Sequence, residues 1–210
     1  MKSISSVTGI DIDKAGARKY YGLSENAFVL GCIGGTRYDK GLDILLKALQ
    51  GVTGDFELLI AGAEDSIKRE KIEELARPYR DRVKLHLSFL TDEEFEMAIQ
   101  AVDAIVLPYR KTFNGASGPL GEGVAKGKMI IAANHGSLGD IVEKNHLGYT
   151  FESENIEALR KVLILAVQRK NYTYDENANM YKKSLNVAEF QKKYRAIYRI
   201  VENTDGRVKK

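Results

Sequence analysis

Short apolar runs alternate along this chain with longer amphipathic ones. Phe28-Val-Leu-Gly-Cys-Ile33 is an unbroken run of apolar and small residues, the pattern of a strand buried on both faces. Leu42, Leu45, Leu46 and Leu49 then recur with the spacing of one helical face. Phe56-Glu-Leu-Leu-Ile-Ala61 predicts a second strand ended by Gly62, and a charged helix is expected over about 66–77. Val83-Lys-Leu-His-Leu87 predicts a third strand. Thr91-Asp-Glu-Glu94 has the form of a capping box, with Phe95, Ala98 and Ile99 on one face of the helix it starts. Ala104-Ile-Val-Leu107 is a fourth strand stopped by Pro108. Pro119 suits the first turn of a helix reaching about Lys126. Met129-Ile-Ile-Ala132 and Gly148-Tyr-Thr-Phe151 complete a set of six strands.

Strands alternating with helices predict an α/β fold, a doubly wound parallel sheet of Rossmann-like kind covered on both faces. Such sheets bind ligands at the carboxyl ends of their strands, which directs attention to the loops after Ile33, Ala61, Leu87, Leu107 and Ala132. The flanks read differently. Residues 1–12 are polar without a period and read as a linker; 205–210 read as a solvated tail, leaving 13–204 as one domain. Phe190, Tyr194, Ile197, Tyr198 and Val201 form a helical stripe that needs a surface to cover.

Composition narrows the functional classes. A length of 210 residues suits one domain with a sizeable core, and 44% hydrophobic with 29% charged residues is ordinary for a globular chain. A net charge of +3 is too small to argue for nucleic acid, and the aromatic residues fall within apolar patterns, as core does. No apolar run reaches the ~18 residues of a membrane span. The start of the chain lacks the apolar segment of a secretory signal, so a cytoplasmic location is expected. The single cysteine, Cys32, excludes a disulfide framework and reads as a buried thiol within its strand. His86, His135 and His146 share no metal-ligand spacing, so no metal is expected, and each reads as a satisfied or solvent-facing imidazole.

Two loops could carry chemistry. The first is Gly34-Gly35-Thr36-Arg37-Tyr38-Asp39-Lys40-Gly41. Its glycines let backbone approach a ligand, and Arg37 and Lys40 place two cations ahead of a helix, which suits a diphosphate. A tight turn with two surface cations explains it equally well. It is neither a Walker A loop nor a Gly-x-Gly-x-x-Gly fingerprint. The second loop runs from Pro108 to Glu122. Ser117 and Gly118 before Pro119 would aim helix N–H groups into the cleft, where a second phosphate site can form. Glu122, read as lying in the first turn of that helix, could accept bonds from two neighbouring ribose hydroxyls, or simply complement the helix dipole.

Taken together, these segments resemble the group 1 (family 4) glycosyltransferases of GT-B fold. The resemblance rests on Arg37 with Lys40-Gly41-Leu-Asp-Ile-Leu-Leu-Lys-Ala48, Leu58-Leu-Ile-Ala-Gly62, Asp103-Ala-Ile-Val-Leu-Pro108, and Ser117-Gly-Pro-Leu-Gly-Glu122 with Gly127-Lys128. It extends over about 9–152, including a helix from Asp13 to Gly22 ahead of the donor domain. It implies one of two Rossmann-like halves, the one that binds a nucleotide sugar, in a retaining transferase that needs no metal. Arg37 and Lys40 match the positions that hold the donor diphosphate, and Gly35 lies in the same loop. Ser117, Gly118, Pro119 and Leu120 match the segment touching phosphate; Glu122 matches the second glutamate of the Glu-x7-Glu motif, on the ribose; Phe89 and Leu90 match the loop flanking the base.

There are two departures from the family pattern. The motif's first glutamate is replaced by Asn114, which can meet a sugar only as a neutral amide. The family's N-terminal acceptor half has no counterpart here, and 9–13 resemble the linker that follows it. The expected ligand is therefore a nucleoside diphosphate sugar. The expected partner is a separate acceptor domain, and any membrane-surface association would come only through a full-length protein. Polysaccharide or glycoconjugate synthesis is the role the resemblance implies. A stand-alone nucleotide-sugar-binding module acting with a partner protein is the alternative. An epimerase or phosphorylase fragment lacks support, because there is no Tyr-x-x-x-Lys pair and no recognisable pyridoxal lysine site.

Overall fold

The computed structural model describes residues 13–185. The linker reading of 1–12, the stripe from Phe190 to Val201 and the tail at 205–210 lie outside the described residues. Six strands, β1 (Phe28–Ile33), β2 (Phe56–Ala61), β3 (Val83–His86), β4 (Ala104–Leu107), β5 (Met129–Ala133) and β6 (Gly148–Phe151), form one sheet in the order β3-β2-β1-β4-β5-β6. Every neighbouring pair is parallel, with Phe28 opposite Phe56 and Leu30 opposite Ala104. All six carboxyl ends therefore lie on one rim. The strand order reverses between β1 and β4, where a doubly wound sheet opens its binding crevice.

Both faces of the sheet are buried, as the continuous apolar strands require. Leu30, Leu58, Ile60, Val106 and Ile131 point to one face, which is covered by helices α2 (Leu42–Leu49), α3 (Arg69–Ala76) and α7 (Ile156–Arg169). Val29, Leu59, Ile105, Leu107 and Ile130 point to the other, under α1 (Lys14–Tyr20), α4 (Asp92–Ala101), α5 (Gly118–Ala125) and α6 (Gly136–Lys144). Helix α8 (Glu176–Ser184) adds Ala178 to that second layer. Alternate strand residues enter opposite layers because side chains alternate across a strand. At the amino ends of the strands, Asp103 accepts bonds from Lys14, Arg18 and the Val29 N–H, tying α1 to β1 and β4.

The strands stand where the apolar runs put them, with β3 ending one residue early and β5 continuing to Ala133. The charged helix is shorter than expected. Lys68 is extended as its N-cap, and a 3-10 segment, Arg77–Arg82, containing Pro78 follows it. The capping box at Thr91 is present in full: Thr91 accepts the Glu94 N–H, and Glu94 accepts the Thr91 N–H. Cys32 is part-buried, and burial pushes its thiol up to about 11.

Candidate functional site

The loop after β1 turns back on itself. Gly34 has φ +112°, and a side chain there would place its Cβ 2.6 Å from the Lys40 ammonium. Thr36, only 2% exposed, donates to the Ile67 carbonyl at 2.8 Å and accepts the Asp65 N–H at 2.8 Å. This pins the β1 loop to the β2 loop. Gly35 lies between these two anchors, where an added Cβ would stand 3.4 Å from the Ala63 carbonyl. A 3-10 turn, Tyr38–Lys40, follows and ends in Gly41 at φ +65°, from which α2 starts.

The two cations of this loop differ. Lys40 is part-buried; burial lowers its pKa, Arg37 adds to that, and Asp39 opposes it. Arg37 is exposed and not a bare cation: its guanidinium donates through Nε and Nη2 to both oxygens of Asp39. The Asp39 hydrogen bond, more than any other influence, raises the Arg37 pKa.

The loop after β4 meets this one at the switch point. The Lys40 ammonium lies 6.0 Å from the centre of the buried Tyr109 ring, and the Tyr109 hydroxyl is 3.2 Å from Ser117 Oγ. Ser117 caps α5 by accepting the Leu120 N–H at 3.3 Å. Pro119 has no N–H, so among the described residues Gly118 supplies the first-turn amide of α5 left for a ligand. Glu122 sits one turn further in than expected, because α5 begins at Gly118 and carries no acid in its first turn. The dipole reading of Glu122 therefore does not hold. Its carboxyl is half-buried beside Glu96 of α4 and Lys126; burial and the Glu96 charge raise its pKa while Lys126 lowers it.

A hollow of about 550 Å³ opens beside these loops, between the β4–α5 loop and the start of α6. Asn114, Ser117 and Leu120 line it together with Tyr109, His135 and Tyr181. Its described lining has no carboxylate. Arg37, Lys40, Gly35 and Glu122 stand outside that lining, as do Phe89 and Leu90 in the loop before α4. Phe89 is 86% exposed, whereas Leu90 packs on the second layer of the core. The expected residues are thus arrayed along the carboxyl rim of β1, β3 and β4, and only three of them enter one concave space.

Sequence reading missed the ties that hold this rim together. Arg110, 8% exposed, donates to both Asp43 oxygens at 2.9 Å and to the Tyr38 carbonyl at 2.8 Å. His86 departs from the expected satisfied or solvent-facing imidazole: its Nε2 is buried and, among the described residues, has no hydrogen-bond partner, lying 3.5 Å from Glu94. Among the described residues no group of His, Cys, Asp and Glu could hold a metal ion, and no helix is long and apolar enough to cross a membrane.

Comparison with known proteins agrees with this fold. A family model described as "Glycosyl transferases group 1" matches residues 27–168. A glycogen synthase from Xanthomonas axonopodis pv. citri is 28% identical over 163 residues, 77% of this chain and 34% of that protein. The chain spans about a third of the length of the curated relatives it matches. The solved structure of Anabaena Alr3699/HepE in complex with UDP superposes with a TM-score of 0.73 at 20% identity, covering 90% of this chain and 53% of that one. The C-terminal domain of a glycosyl transferase group 1 family protein (LpcC) from Francisella tularensis gives a TM-score of 0.62 at 18% identity, covering 76% of this chain and 87% of that domain.

Proposed function

Because the chain belongs to the group 1 glycosyl transferases, we propose that it binds the nucleotide-sugar donor of a retaining glycosyltransferase. The observation that carries the reading is the meeting of Lys40, Tyr109 and Ser117 where the strand order reverses. The diphosphate lies between Arg37, Lys40 and the Gly118 N–H at the start of α5. Glu122 takes the ribose hydroxyls, and the loop of Phe89 and Leu90 flanks the base. The sugar enters the hollow past Asn114, which offers it an amide and no charge.

Breaking the bond between sugar and diphosphate builds negative charge on the leaving oxygen. Arg37 and Lys40, with the helix-end amide, are placed to stabilise that charge, and preorganised contacts of this kind are each worth about 10²–10³ in rate. No step of this scheme requires a metal ion. The other large contribution is to hold the acceptor oxygen against the anomeric carbon. This chain covers about half of the solved Anabaena Alr3699/HepE chain it superposes on, and we assign that task to a second, acceptor-binding half. Polysaccharide or glycoconjugate synthesis is the setting that fits, with glycogen synthases among the relatives.

Calorimetry with UDP, GDP and ADP tests the proposal. One of the three is expected to bind the isolated chain, while transfer to an acceptor is expected only when an acceptor-binding half is supplied. Failure of all three nucleotides to bind overturns the reading.

A further inference from the structure

We propose that Arg110 is a positioning residue for the diphosphate site, acting through the turn that carries Arg37 and Lys40; the functional part of this inference rests on the donor-binding reading above. Three of the five N–H donors of Arg110 are engaged by the turn and its helix. Nη1 donates to the Tyr38 carbonyl at 2.8 Å and to Asp43 Oδ1 at 2.9 Å, and Nη2 donates to Asp43 Oδ2 at 2.9 Å. Its guanidinium carbon lies 3.9 Å from the centre of the Tyr38 ring. Its own backbone N–H donates to the Asp39 carbonyl at 2.8 Å. One residue of the β4 loop thus holds two successive residues of the turn, 38 and 39, and the first turn of the helix behind it. Glu154, 3.7 Å from Nε, and Lys47, 3.6 Å from Asp43, complete the charges around the pair.

The direction of control follows from what surrounds the turn. Arg37 is exposed, and among the described residues its side chain is held by Asp39, itself a member of the turn. Lys40 closes the turn by donating its backbone N–H to the Arg37 carbonyl at 3.1 Å. Where the two cations stand is therefore set by the turn, and the turn is set by Arg110. Lysine cannot substitute, since an ammonium is not a planar fork and cannot pair with both Asp43 oxygens while stacking on Tyr38. Arg110 borders the hollow assigned to the sugar, but it is 8% exposed and its guanidinium is turned into Asp43 and the Tyr38 ring, so its effect on the diphosphate is assigned to the turn and not to contact. Its influence reaches the site through distance and angle, to which preorganised charge is sensitive.

The experiment uses the whole chain and two variants, Arg110→Lys and Asp43→Asn, with two readouts. Backbone amide exchange without ligand reports the turn, through the Lys40 and Gly41 N–H groups, which donate to Arg37 and Tyr38 carbonyls. Both variants are expected to lose protection there while β2 and β5 keep theirs. Calorimetry then uses whichever of UDP, GDP or ADP the unmodified chain binds, together with its nucleoside. Diphosphate affinity is expected to fall by at least about tenfold and nucleoside affinity to change by less than about twofold. The double variant is expected to lose no more than the worse single one, since the two residues act as one unit. Unchanged exchange at Lys40 and Gly41 in both variants overturns the proposal, whatever the ligands do. So does equal loss of nucleoside and diphosphate, which marks a general structural role. An unmodified chain whose turn loosens in the variants but which binds none of the three nucleotides sinks the donor reading and leaves Arg110 as the holder of the turn alone.

Discussion

Glu122 shows how a single residue carries opposed demands. Burial and the neighbouring Glu96 raise its pKa, and Lys126 only partly offsets them. A carboxyl with a raised folded-state pKa costs stability once ionised; below the unfolded value both states are protonated and the cost is absent. Glu122→Gln is therefore expected to raise the melting temperature at neutral pH, with the gain vanishing near pH ~4. The same change removes a charged acceptor for two ribose hydroxyls. Hydrogen bonds to charged groups contribute about 1.5–3 kcal/mol each, so affinity for ribose-bearing ligands should drop roughly tenfold or more. Calorimetry against ribo- and deoxyribonucleotides checks the assignment: discrimination between them should disappear, and a variant that keeps it places the ribose elsewhere. The cations follow a different rule. Arg37→Ala with Lys40→Ala should cripple nucleoside diphosphate binding and leave the nucleoside nearly untouched, because neither side chain is assigned to the base or ribose. Comparable losses for both ligands in a titration would contradict the diphosphate assignment.

At the scale of elements, the site depends on how closely two loop backbones approach. Gly41 has φ +65°, and a Cβ there would lie 1.9 Å from the Pro108 carbonyl oxygen. Gly22 has the same φ with nothing within 4 Å of such a Cβ. The pair separates backbone strain from collision. Gly22→Ala should cost about 1–2 kcal/mol, the ordinary penalty of a left-handed non-glycine residue. Gly41→Ala should cost more in urea unfolding and also weaken nucleotide binding, because the β1–α2 junction must move away from β4. Equal costs would mean that the junction yields freely. Local pattern was enough to read the elements on either side of this junction: near-continuous apolar runs marked β1, β2, β4 and β5, the alternation Val83-Lys-Leu-His86 marked β3, and the capping box marked α4. Helices α6, α7 and α8 went unread, although Asn155 caps α7 and Leu159, Leu163, Ala166 and Val167 line its buried face. Arg110 and Asp43 could not be paired from pattern at all, being 67 residues apart and joined only by the fold. The hollow was equally illegible, since five of its sixteen lining residues come from α6 and α8.

For the molecule as a whole, stability rests on two apolar layers sharing one sheet. A single strand such as β1 feeds both layers, through Leu30 on one side and Val29 on the other, so neither layer can melt and leave the other intact. Unfolding of the described region is therefore expected to be a single cooperative event. The diphosphate reading places a ligand across loops that leave β1 and β4, the two strands at the centre of that sheet. Any ligand that binds only the folded chain stabilises it by mass action, about 2.7 kcal/mol at a hundred times its dissociation constant. For a chain of this size that is roughly 5–10 °C in melting temperature. The matching nucleoside at the same concentration should shift it far less, since it leaves the cations unanswered. The Arg37→Ala, Lys40→Ala double variant should lose the diphosphate shift and keep whatever the nucleoside gives. Thermal scans with the two ligands on both proteins decide the matter. A nucleoside shift as large as that of the diphosphate would mean that recognition runs through base and ribose, leaving the charged turn after β1 without a part in holding the donor.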